Sequence, residues 1–444
     1  MRTLLALILV AAQVYADDPP SIDKLVEQLG SPSFPTRERA TKQLKERGVA
    51  ALPALRKALE SKDEEVRKRA ETLIPAMEID EALLPKRITL DKSETSANGI
   101  VQQISKQTGL KLDLQPGVKL AMSSPLVFSD TPFWEAIEQF SKATETSAGL
   151  RSTGNSHEQM IHLYLNKARS PFVNIRGPFR LEANWFHEDR DIDLTRVDIS
   201  KDGERGHRLT LSVNLLAEPR ITFLHISPAK VDEAMDSEGK SLLEPGAPSG
   251  PRTTLPNGRP APAPQPAPGP AALPPNRSTF RGESLIASDI RLRRASETAK
   301  TAKIIKGTIP VKIILIRKPV VVSAKIMDAG GKSIKAGDES LLITQVMNQG
   351  GNNIEVSIQV PYDQRNGGTQ REWHDRFHVE DDAGNKFQIN GRGTSSNGRE
   401  YTISMYFAPP FNKKDVGPPT KLIFEDWIVH EYAIPFEFRD VPLP

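Results

Sequence analysis

The feature that most constrains this fold is a proline-rich stretch in the second half of the chain. Residues 244–277 contain 12 of the 36 prolines in the sequence. Proline fixes φ and has no backbone N–H, so such a stretch forms neither a sheet core nor a helix and favours an extended spacer. We predict a disordered loop over residues 245–276, so every core must come from the sequence on either side.

Alternating apolar and polar residues, typical of antiparallel strands, lie on both sides of this stretch. The few strands between residue 172 and the stretch do not make a stable sandwich on their own. We therefore expect one β-sandwich over residues 172–318, with the proline-rich loop inserted in it. Residues 319–444 hold a full set of short strand-like segments separated by turn residues, which predicts a second antiparallel sandwich of immunoglobulin-like shape.

The N-terminal part of the chain shows helical spacing of apolar residues that repeats after 30 positions. Leu25 is matched by Leu55, and Arg37 is matched by Arg67. A helical pair repeated at this period predicts stacked hairpins that bury each other's apolar stripes. The segments RERATKQLKERG and DEEVRKRAETLI resemble HEAT-type repeats of bacterial proteins. The resemblance implies a helical-repeat domain over residues 17–82.

The next part of the chain alternates between strand-like and helix-like segments. Two helix-like segments have apolar stripes that repeat at an offset of 36 residues. Val101 corresponds to Ile137, and Ile104 corresponds to Phe140. A doubled strand–helix–strand unit predicts a small sheet covered by helices on one face. The pattern resembles the short N-terminal domain of secretins and TonB-dependent receptors. That resemblance implies an α/β domain over residues 83–168 that contacts other periplasmic proteins and performs no catalysis.

These patterns together predict a multidomain α+β protein: a helical repeat pair, a small α/β domain and two antiparallel β-sandwiches. The first residues add a location. Arg2 precedes an apolar run from Leu4 to Ala12, and Ala16 closes the segment. A positive start, a short apolar core and a small residue before cleavage are typical of a secretory signal peptide, here residues 1–16. A membrane anchor is the alternative, although the run is shorter than a membrane span, and no other stretch reaches that length.

Composition excludes several classes of chemistry. The chain contains no cysteine, which rules out thiolate metal sites, cysteine nucleophiles and disulfides. Its net charge is +3 over 444 residues, whereas a dedicated nucleic-acid binder concentrates far more basic charge. The Gly-x-Ser-x-Gly elbow of serine hydrolases does not occur in the sequence. The sequence therefore carries no positive signal for an enzyme, and we expect no cofactor.

One tripeptide, Gly331-Lys332-Ser333, matches the end of a phosphate-binding loop. That loop also needs a glycine five residues earlier, and Ile326 occupies the position. The tripeptide recurs at residues 239–241, and a similar pattern surrounds Asp382, Gly384 and Asn385. We interpret all three segments as hairpin turns between strands, because Asp and Gly supply the side-chain turn and the positive φ that hairpins need.

A histidine pair, His374 and His378, would share one face of a helix and could bind zinc there. Phe377 and Val379 alternate with polar residues, however, and this predicts a strand. Four strand residues span about 13 Å, too far for one ion. We therefore expect neither histidine to bind a metal.

The acidic loop 188–193 is the one metal hypothesis that the sequence leaves open. Its carboxylates offer the oxygen ligands that calcium prefers. Arg190 offsets part of their charge, and the order of ligands in an EF-hand is missing, so a solvated loop is the alternative. The acidic residues concerned are Glu188, Asp189, Asp191 and Asp193.

The function that these observations favour is an exported, non-catalytic protein-interaction or scaffold protein of the bacterial envelope, in the periplasm or at the cell surface. Its partner would bind a helical-repeat face, or would add a strand to a sheet edge of the α/β domain. A carbohydrate-binding surface protein is the alternative, with Trp185, Trp373 or Trp427 stacking on a sugar. That alternative requires at least one of these tryptophans to be exposed beside polar groups. A hydrolase with an unrecognised site is a further alternative.

Overall fold

The structure is a computed structural model that describes residues 20–91, 96–119, 126–152, 159–166, 169–189, 208–243, 285–336, 339–361, 373–396, 400–411, 413 and 415–444. The chain divides into two compact units, Met1–Leu84 and Pro85–Pro444. It is rich in β-structure, with several antiparallel sheets and a small helical N-terminal region. The predicted signal peptide and the predicted proline-rich loop lie outside the described residues. Among the described residues, none of the helices combines the length and apolar character that a bilayer span requires.

The first unit consists of helices. They are α1 (Ile22–Gln28), α2 (Phe34–Arg47), a 3-10 turn (Gly48–Ala51), α3 (Leu52–Ala58) and α4 (Glu64–Leu83). α1 packs on α2 and α3 packs on α4 around a shared apolar core. The 30-residue repeat extends to polar contacts: the Arg37 guanidinium donates to the Ser31 carbonyl at 2.7 Å, and Arg67 donates to the Ser61 carbonyl at 2.5 Å. Equivalent arginines therefore fix the turn before α2 and the turn before α4.

The second unit begins with an α/β region. Its elements are β1 (Arg87–Leu90), α5 (Ala97–Thr108), β2 (Leu112–Leu114), β3 (Phe128–Pro132), α6 (Phe133–Thr144), β4 (Thr146–Ser152) and β5 (Gln159–Leu165). The two helices begin 36 positions apart, and each ends at a residue with positive φ, Gly109 at 70° and Glu145 at 54°. Thr108 and Thr144 both donate to the carbonyl four residues earlier. The offset of 36 thus relates two helices with the same length and the same ending.

The strands of this region form two sheets where the sequence predicts one. β1 pairs with β3, while β2, β5 and β4 form a separate three-stranded sheet in that order. The apolar faces of α5 and α6 belong to one core that includes side chains from both sheets. Sequence spacing identifies short strands but not their partners, and the partners here come from distant parts of the chain.

The described residues of this unit form fifteen further elements. They are β6 (Val173–Arg176), β7 (Phe179–Asp189), β8 (Arg208–Ala217), β9 (Thr222–Ile226), β10 (Lys230–Asp236), β11 (Leu285–Arg293), β12 (Thr301–Ser323), a 3-10 turn (Ile326–Ala329), β13 (Ser333–Ala336), β14 (Glu339–Gly350), β15 (Asn353–Pro361), β16 (Phe377–Glu380), β17 (Gln388–Ser396), β18 (Glu400–Ala408) and β19 (Lys421–Pro442).

These strands form three sheets. The β7 sheet has the order β11-β8-β7-β6; the β12 sheet has the order β10-β12-β19-β16, with β9 also on β12; the β15 sheet has the order β13-β14-β15-β18-β17. β8 and β11, which lie on opposite sides of the proline-rich stretch, pair from Leu216↔Leu285 to Arg208↔Arg293. The β7 sheet therefore includes strands from both sides of that stretch.

The predicted boundary between residues 318 and 319 falls inside β12. The sequence predicts separate strands on the two sides of this boundary, but β12 runs unbroken for 23 residues and pairs along β19, which has 22. Strand β16, which follows that boundary in sequence, also joins the β12 sheet. The two halves of the β-rich region thus share one long ribbon, because proline interrupts a strand only where its N–H would have been needed.

One glycine of β12 allows two strands to approach closely. A Cβ on Gly307 would lie 2.1 Å from the carbonyl oxygen of Lys230 on β10. We expect Gly307→Ala to lower the free energy of unfolding by about 1–3 kcal/mol, because the backbone of β10 must move away. Gly393→Ala on β17 is the matched control, since its nearest neighbour is the Ser404 Cβ at 3.7 Å. Urea unfolding checks both variants, and equal losses would contradict the close-approach argument.

Candidate functional site

The phosphate-loop-like tripeptide lies in a connection between two sheets. Ile326, which replaces the first glycine of a phosphate-binding loop, lies in the 3-10 turn that follows β12. β12 belongs to the β12 sheet and β13 to the β15 sheet, so the predicted hairpin at Gly331 is wrong. Gly331 has φ of 80°, and the Lys332 ammonium lies 3.0 Å from the Ser323 hydroxyl. Gly331 and Lys332 therefore lie in the connection that crosses from the β12 sheet to the β15 sheet.

The two related segments do form tight turns. In the first, the Asp236 carboxylate accepts from the N–H groups of Glu238 and Lys240, and Gly239 has φ of 79°. In the second the capping residue is Asp381, one position before the predicted Asp382, and it accepts from the Asn385 N–H at 2.8 Å. The Asp-x-x-Gly pattern therefore predicts the turn, because the aspartate bonds the backbone ahead of it.

The histidine pair is split between two kinds of structure. His378 lies on β16 as expected, and its Nε2 lies 2.9 Å from a carboxylate oxygen of Glu425. His374 lies before the strand in a helical turn, and only 4% of it is exposed. Within the described ranges, no three side chains of His, Asp or Glu are grouped closely enough to hold a metal ion.

The acidic segment is only partly described. Glu188 and Asp189 end β7, where Glu188 faces Arg294 at 3.4 Å and Asp189 lies 2.8 Å from a His187 ring nitrogen. Asp191 and Asp193 lie outside the described residues, so the calcium hypothesis stays a prediction.

The three candidate tryptophans have different surroundings. Trp373 and Trp427 are half-buried against the Arg376 guanidinium, whose carbon lies 4.7 Å and 5.2 Å from their ring centroids. Trp185 on β7 is 60% exposed, and its ring meets the His187 ring edge-on at 6.2 Å. Of the three, Trp185 is therefore the one available to a ligand.

A carboxylate beside the two half-buried tryptophans is held in its charged form. Burial alone would raise the pKa of Glu425, but His378, the Trp427 indole N–H at 3.1 Å and Arg317 outweigh it and lower the pKa from 4.5 to about 2. Arg376 in turn lies 3.3 Å from Asp426. The polar groups of this cluster pair with one another where β16 meets β19.

The best candidate site is a cleft of about 500 Å³ between the α/β region and the β7 sheet. Its volume lies within the range of about 300–1,000 Å³ that is typical of ligand sites. One wall comes from β4 and β5, and the other from β7 and β8. Side chains that line the cleft include Ser147, Tyr164, Asn166, Glu182, Asn184 and Asn214. Most of them are neutral amides or hydroxyls.

A β-bulge places Trp185 on the cleft side of its sheet. The register of β7 against β8 shifts between Ala183↔Val213 and Trp185↔Ser212, so Asn184 is the extra residue. Without this shift Trp185 would point to the face of buried Ala183. With it, Trp185 shares a face with Ser212, and therefore with Asn214 two residues further along β8. Bulges often re-aim a side chain next to a functional site in this way.

A glycine leaves room for the aromatic ring on the opposite wall. A Cβ on Gly149 would lie 3.2 Å from the Tyr164 ring, which therefore rests directly over the backbone of β4. The Tyr164 ring also stacks on the His162 ring, with 5.8 Å between the two centroids. The cleft thus has a flat tyrosine on one wall, and Trp185 extends the face of the other wall.

A buried ion-pair network fixes the two walls relative to each other. Glu138 of α6 lies 2.6 Å from both Arg169 and Arg180, and Arg180 also lies 2.6 Å from Glu182. The Arg180 side chain is only 3% exposed. Burial would lower its pKa, but the carboxylates of Glu138 and Glu182 outweigh burial and raise the pKa above its usual value. The network holds two positive and two negative groups, so its charges balance.

Neutral and polar contacts reinforce this joint. The Trp134 indole N–H of α6 donates to the Pro178 carbonyl at 2.9 Å, and the Glu218 N–H donates to the same oxygen. The buried Glu218 carboxylate accepts from the Lys86 N–H at 2.9 Å and pairs with Arg220. Burial raises the pKa of Glu218, although Arg220 opposes the shift. The start of β7 and the end of β8 are thereby tied to α6 and β1.

Four residues, Asn166 and Arg169 to Pro171, line both this cleft and a second cavity of about 590 Å³. The Asn166 amide donates to the Ser147 hydroxyl at 3.1 Å, and the Ser170 hydroxyl donates to the Ala183 carbonyl. Arg169 of the same segment belongs to the ion-pair network. Sequence reasoning missed these residues, because isolated polar side chains spread over separate elements leave no periodic signal. Only Trp185 was a sequence candidate.

Glu138 carries the network, and its loss should be costly. We expect Glu138→Gln to lower the free energy of unfolding by about 3 kcal/mol, because Arg180 stays buried with half of its countercharge removed. Glu135→Gln removes an exposed carboxylate from the same helix and should cost less than about 0.5 kcal/mol. Urea unfolding measures both variants. Equal small losses would show that the network does not hold the joint.

The lowered pKa of Glu425 predicts a pH dependence. A carboxylate with a depressed pKa stabilises the fold above its ordinary value and loses that contribution as pH falls. The stabilising difference between the wild type and Glu425→Gln should therefore be complete above pH 4.5 and should shrink as pH falls towards about 2. Urea midpoints measured over this range check it. A difference that stays constant with pH would contradict the assigned charge state.

Comparisons with known proteins add no assignment to this geometry. No family model, curated protein or solved structure matches the chain. What the cleft does must therefore be argued from its own side chains and backbone.

Proposed function

We propose that this chain is an exported, non-catalytic scaffold protein of the bacterial envelope that binds a protein partner in the cleft. One observation carries the proposal. The charged side chains among the described cleft residues, Arg169 and Glu182, are paired with Glu138 and Arg180. The amides of Asn184 and Asn214 and the ring of Tyr164 are left to face a ligand. Such a surface suits the uncharged polar backbone of a peptide.

The same pairing favours binding over catalysis. A general acid or base needs a titratable group that faces the substrate with a pKa near the working pH. Here the two charged groups are held in ion pairs, and the cleft hydroxyls of Ser147 and Ser170 are engaged with Asn166 and the Ala183 carbonyl. These polar groups are therefore used to build the walls. A ligand can meet them without any group having to change its protonation.

The modular resemblances complete the proposal. Helix pairs repeated at 30 residues support HEAT-type repeats, and the twin helices 36 residues apart support a secretin-like α/β domain. The paired antiparallel sheets that follow support sandwich domains of immunoglobulin-like type. Each type of module commonly presents surfaces to other proteins. Export rests on the N-terminal sequence pattern alone.

Carbohydrate binding is the second candidate, and Trp185 favours it. This side chain is 60% exposed, follows the cleft residue Asn184, and lies opposite Ser212. Flat aromatic faces beside amides and hydroxyls suit the apolar faces and hydroxyl groups of sugars. A glycan array probed with the full chain distinguishes the candidates: glycan binding that Trp185→Ala abolishes, with no protein partner found, would replace the first proposal.

A charge placed in the cleft tests the proposal. We expect the tagged full chain to recover a protein partner repeatedly from the native envelope fraction. Asn184→Glu should weaken that recovery at least about tenfold, because an unpaired carboxylate would be desolvated in the interface. Ser395→Glu adds the same charge at an exposed position on β17 and should leave recovery unchanged. Quantitative mass spectrometry of the recovered fraction measures all three chains.

Two results would count against the cleft. Recovery of no partner by the wild type would reject the scaffold function itself. Equal recovery by the wild type and Asn184→Glu would move the partner to another surface.

A further inference from the structure

The wall of the cleft that carries Tyr164 ends in an unpaired strand edge. The three-stranded sheet has the order β2-β5-β4, and β4 pairs with β5 from Thr146↔Leu165 to Ser152↔Gln159. Among the described residues no strand lies on the other side of β4. Within the part of the chain that the structure describes, β4 thus has β5 as its one strand partner.

The hydrogen bonds between β5 and β2 determine which backbone groups of β4 point away from β5. The Ile161 N–H donates to the Lys111 carbonyl, and the Leu163 carbonyl accepts from Gln115, so these two residues of β5 face β2. Backbone groups alternate along a strand, so His162 and Tyr164 face β4, where they are opposite Gly149 and Ser147. Ala148 and Leu150 therefore point their N–H and C=O groups away from β5, towards the free edge.

Three residues of β4, Ser147, Ala148 and Gly149, line the cleft, and the opposite wall carries Asn184 and Asn214. An extended chain lying in the cleft would run along β4 with its backbone within reach of Ala148. The amide side chains across from it can donate to, and accept from, a peptide backbone.

The part of β4 that lines the cleft carries none of the devices that normally protect an edge, and the charged Arg151 lies further along the strand. Natural proteins block edges with lysine, proline or bulges. The part of β12 beyond its pairing with β9 has no second strand partner among the described residues, and it carries exposed Lys318 and Pro319. The segment of β4 in the cleft reads Ser-Ala-Gly, with neither charge nor proline. Its register with β5 is regular throughout.

From these observations we infer that the partner binds as an added β-strand on β4, through an uncharged extended segment paired with the outward backbone groups of Ala148 and Leu150. This inference rests on the proposed function and specifies how the partner would bind. The segment is uncharged because the charges of Arg169 and Glu182 are already balanced by Glu138 and Arg180. The flat ring of Tyr164 favours an aromatic or β-branched side chain next to it.

A single backbone change tests the pairing. The probe is a synthetic peptide chosen by selecting displayed random peptides on the full chain, and its affinity is measured by calorimetry. Ala148→Pro removes one outward N–H without touching the ladder to β5, and it should weaken binding at least about tenfold. Ala148→Ser keeps that N–H and should bind within about twofold of the wild type. Circular dichroism and thermal unfolding establish that each variant is folded.

A scan of the peptide provides a readout that does not depend on the fold of the variants. N-methylation of the peptide, one residue at a time, should abolish binding at every second position, because alternate N–H groups of an added strand face β4. The same period-two pattern should be seen with the wild-type chain even if Ala148→Pro unfolds. An even loss along the peptide, or no loss, would overturn strand addition.

The outcomes separate this inference from the function on which it rests. Unchanged affinity of Ala148→Pro, while Asn184→Glu still loses the envelope partner, would reject strand addition and keep the scaffold function. Failure to select any peptide, together with failure to recover any partner, would reject both. A dimer of the full chain in light scattering that Ala148→Pro dissociates would overturn the inference in favour of pairing between two copies.

Discussion

The ion pair between Glu138 and Arg180 is the contact on which the rest of the candidate site depends. It joins helix α6 to strand β7, and Arg169 and Glu182 complete a network whose charges balance. Burying such groups costs several kcal/mol per ion unless each is paired, so any other placement of the two walls would leave a charge unsatisfied. The neutral contact from Trp134 to Pro178 fixes the same junction. We therefore assign the network a positional role, since it selects one arrangement of the cleft walls.

The chemical character of the cleft follows from that network. Because the charges of Arg169 and Glu182 are paired, the remaining lining of the cleft is uncharged and includes amides, hydroxyls and aromatic faces. Two local backbone features then orient the aromatic groups. A bulge at Asn184 turns Trp185 to the cleft face, and the missing side chain of Gly149 lets Tyr164 lie flat. A neutral site with fixed aromatic faces is suited to recognising shape and backbone rather than to transferring protons.

Sequence reasoning identified local features better than distant ones. The repeats of 30 and 36 residues predicted helices, because helical periodicity and the residues that end a helix are encoded within a few positions. Asp236 marked a tight turn for the same reason. The continuity of β12, the separation of the α/β strands into two sheets, and the Glu138–Arg180 pair all depend on partners far apart in sequence. Glu138 and Arg180 are 42 positions apart, and no pattern in a single sequence links them.

The difference between the two kinds of strand edge connects the fold to the proposed binding mode. An edge that faces open solvent can pair with any other edge, so charge and proline are needed to block it, as Lys318 and Pro319 do on β12. The part of β4 from Ser147 to Gly149 instead lines a cleft whose opposite wall is fixed by the buried network. A chain that pairs with β4 there has to lie between the two walls. In the proposed binding mode the walls themselves limit access to this part of β4, which has neither charge nor proline.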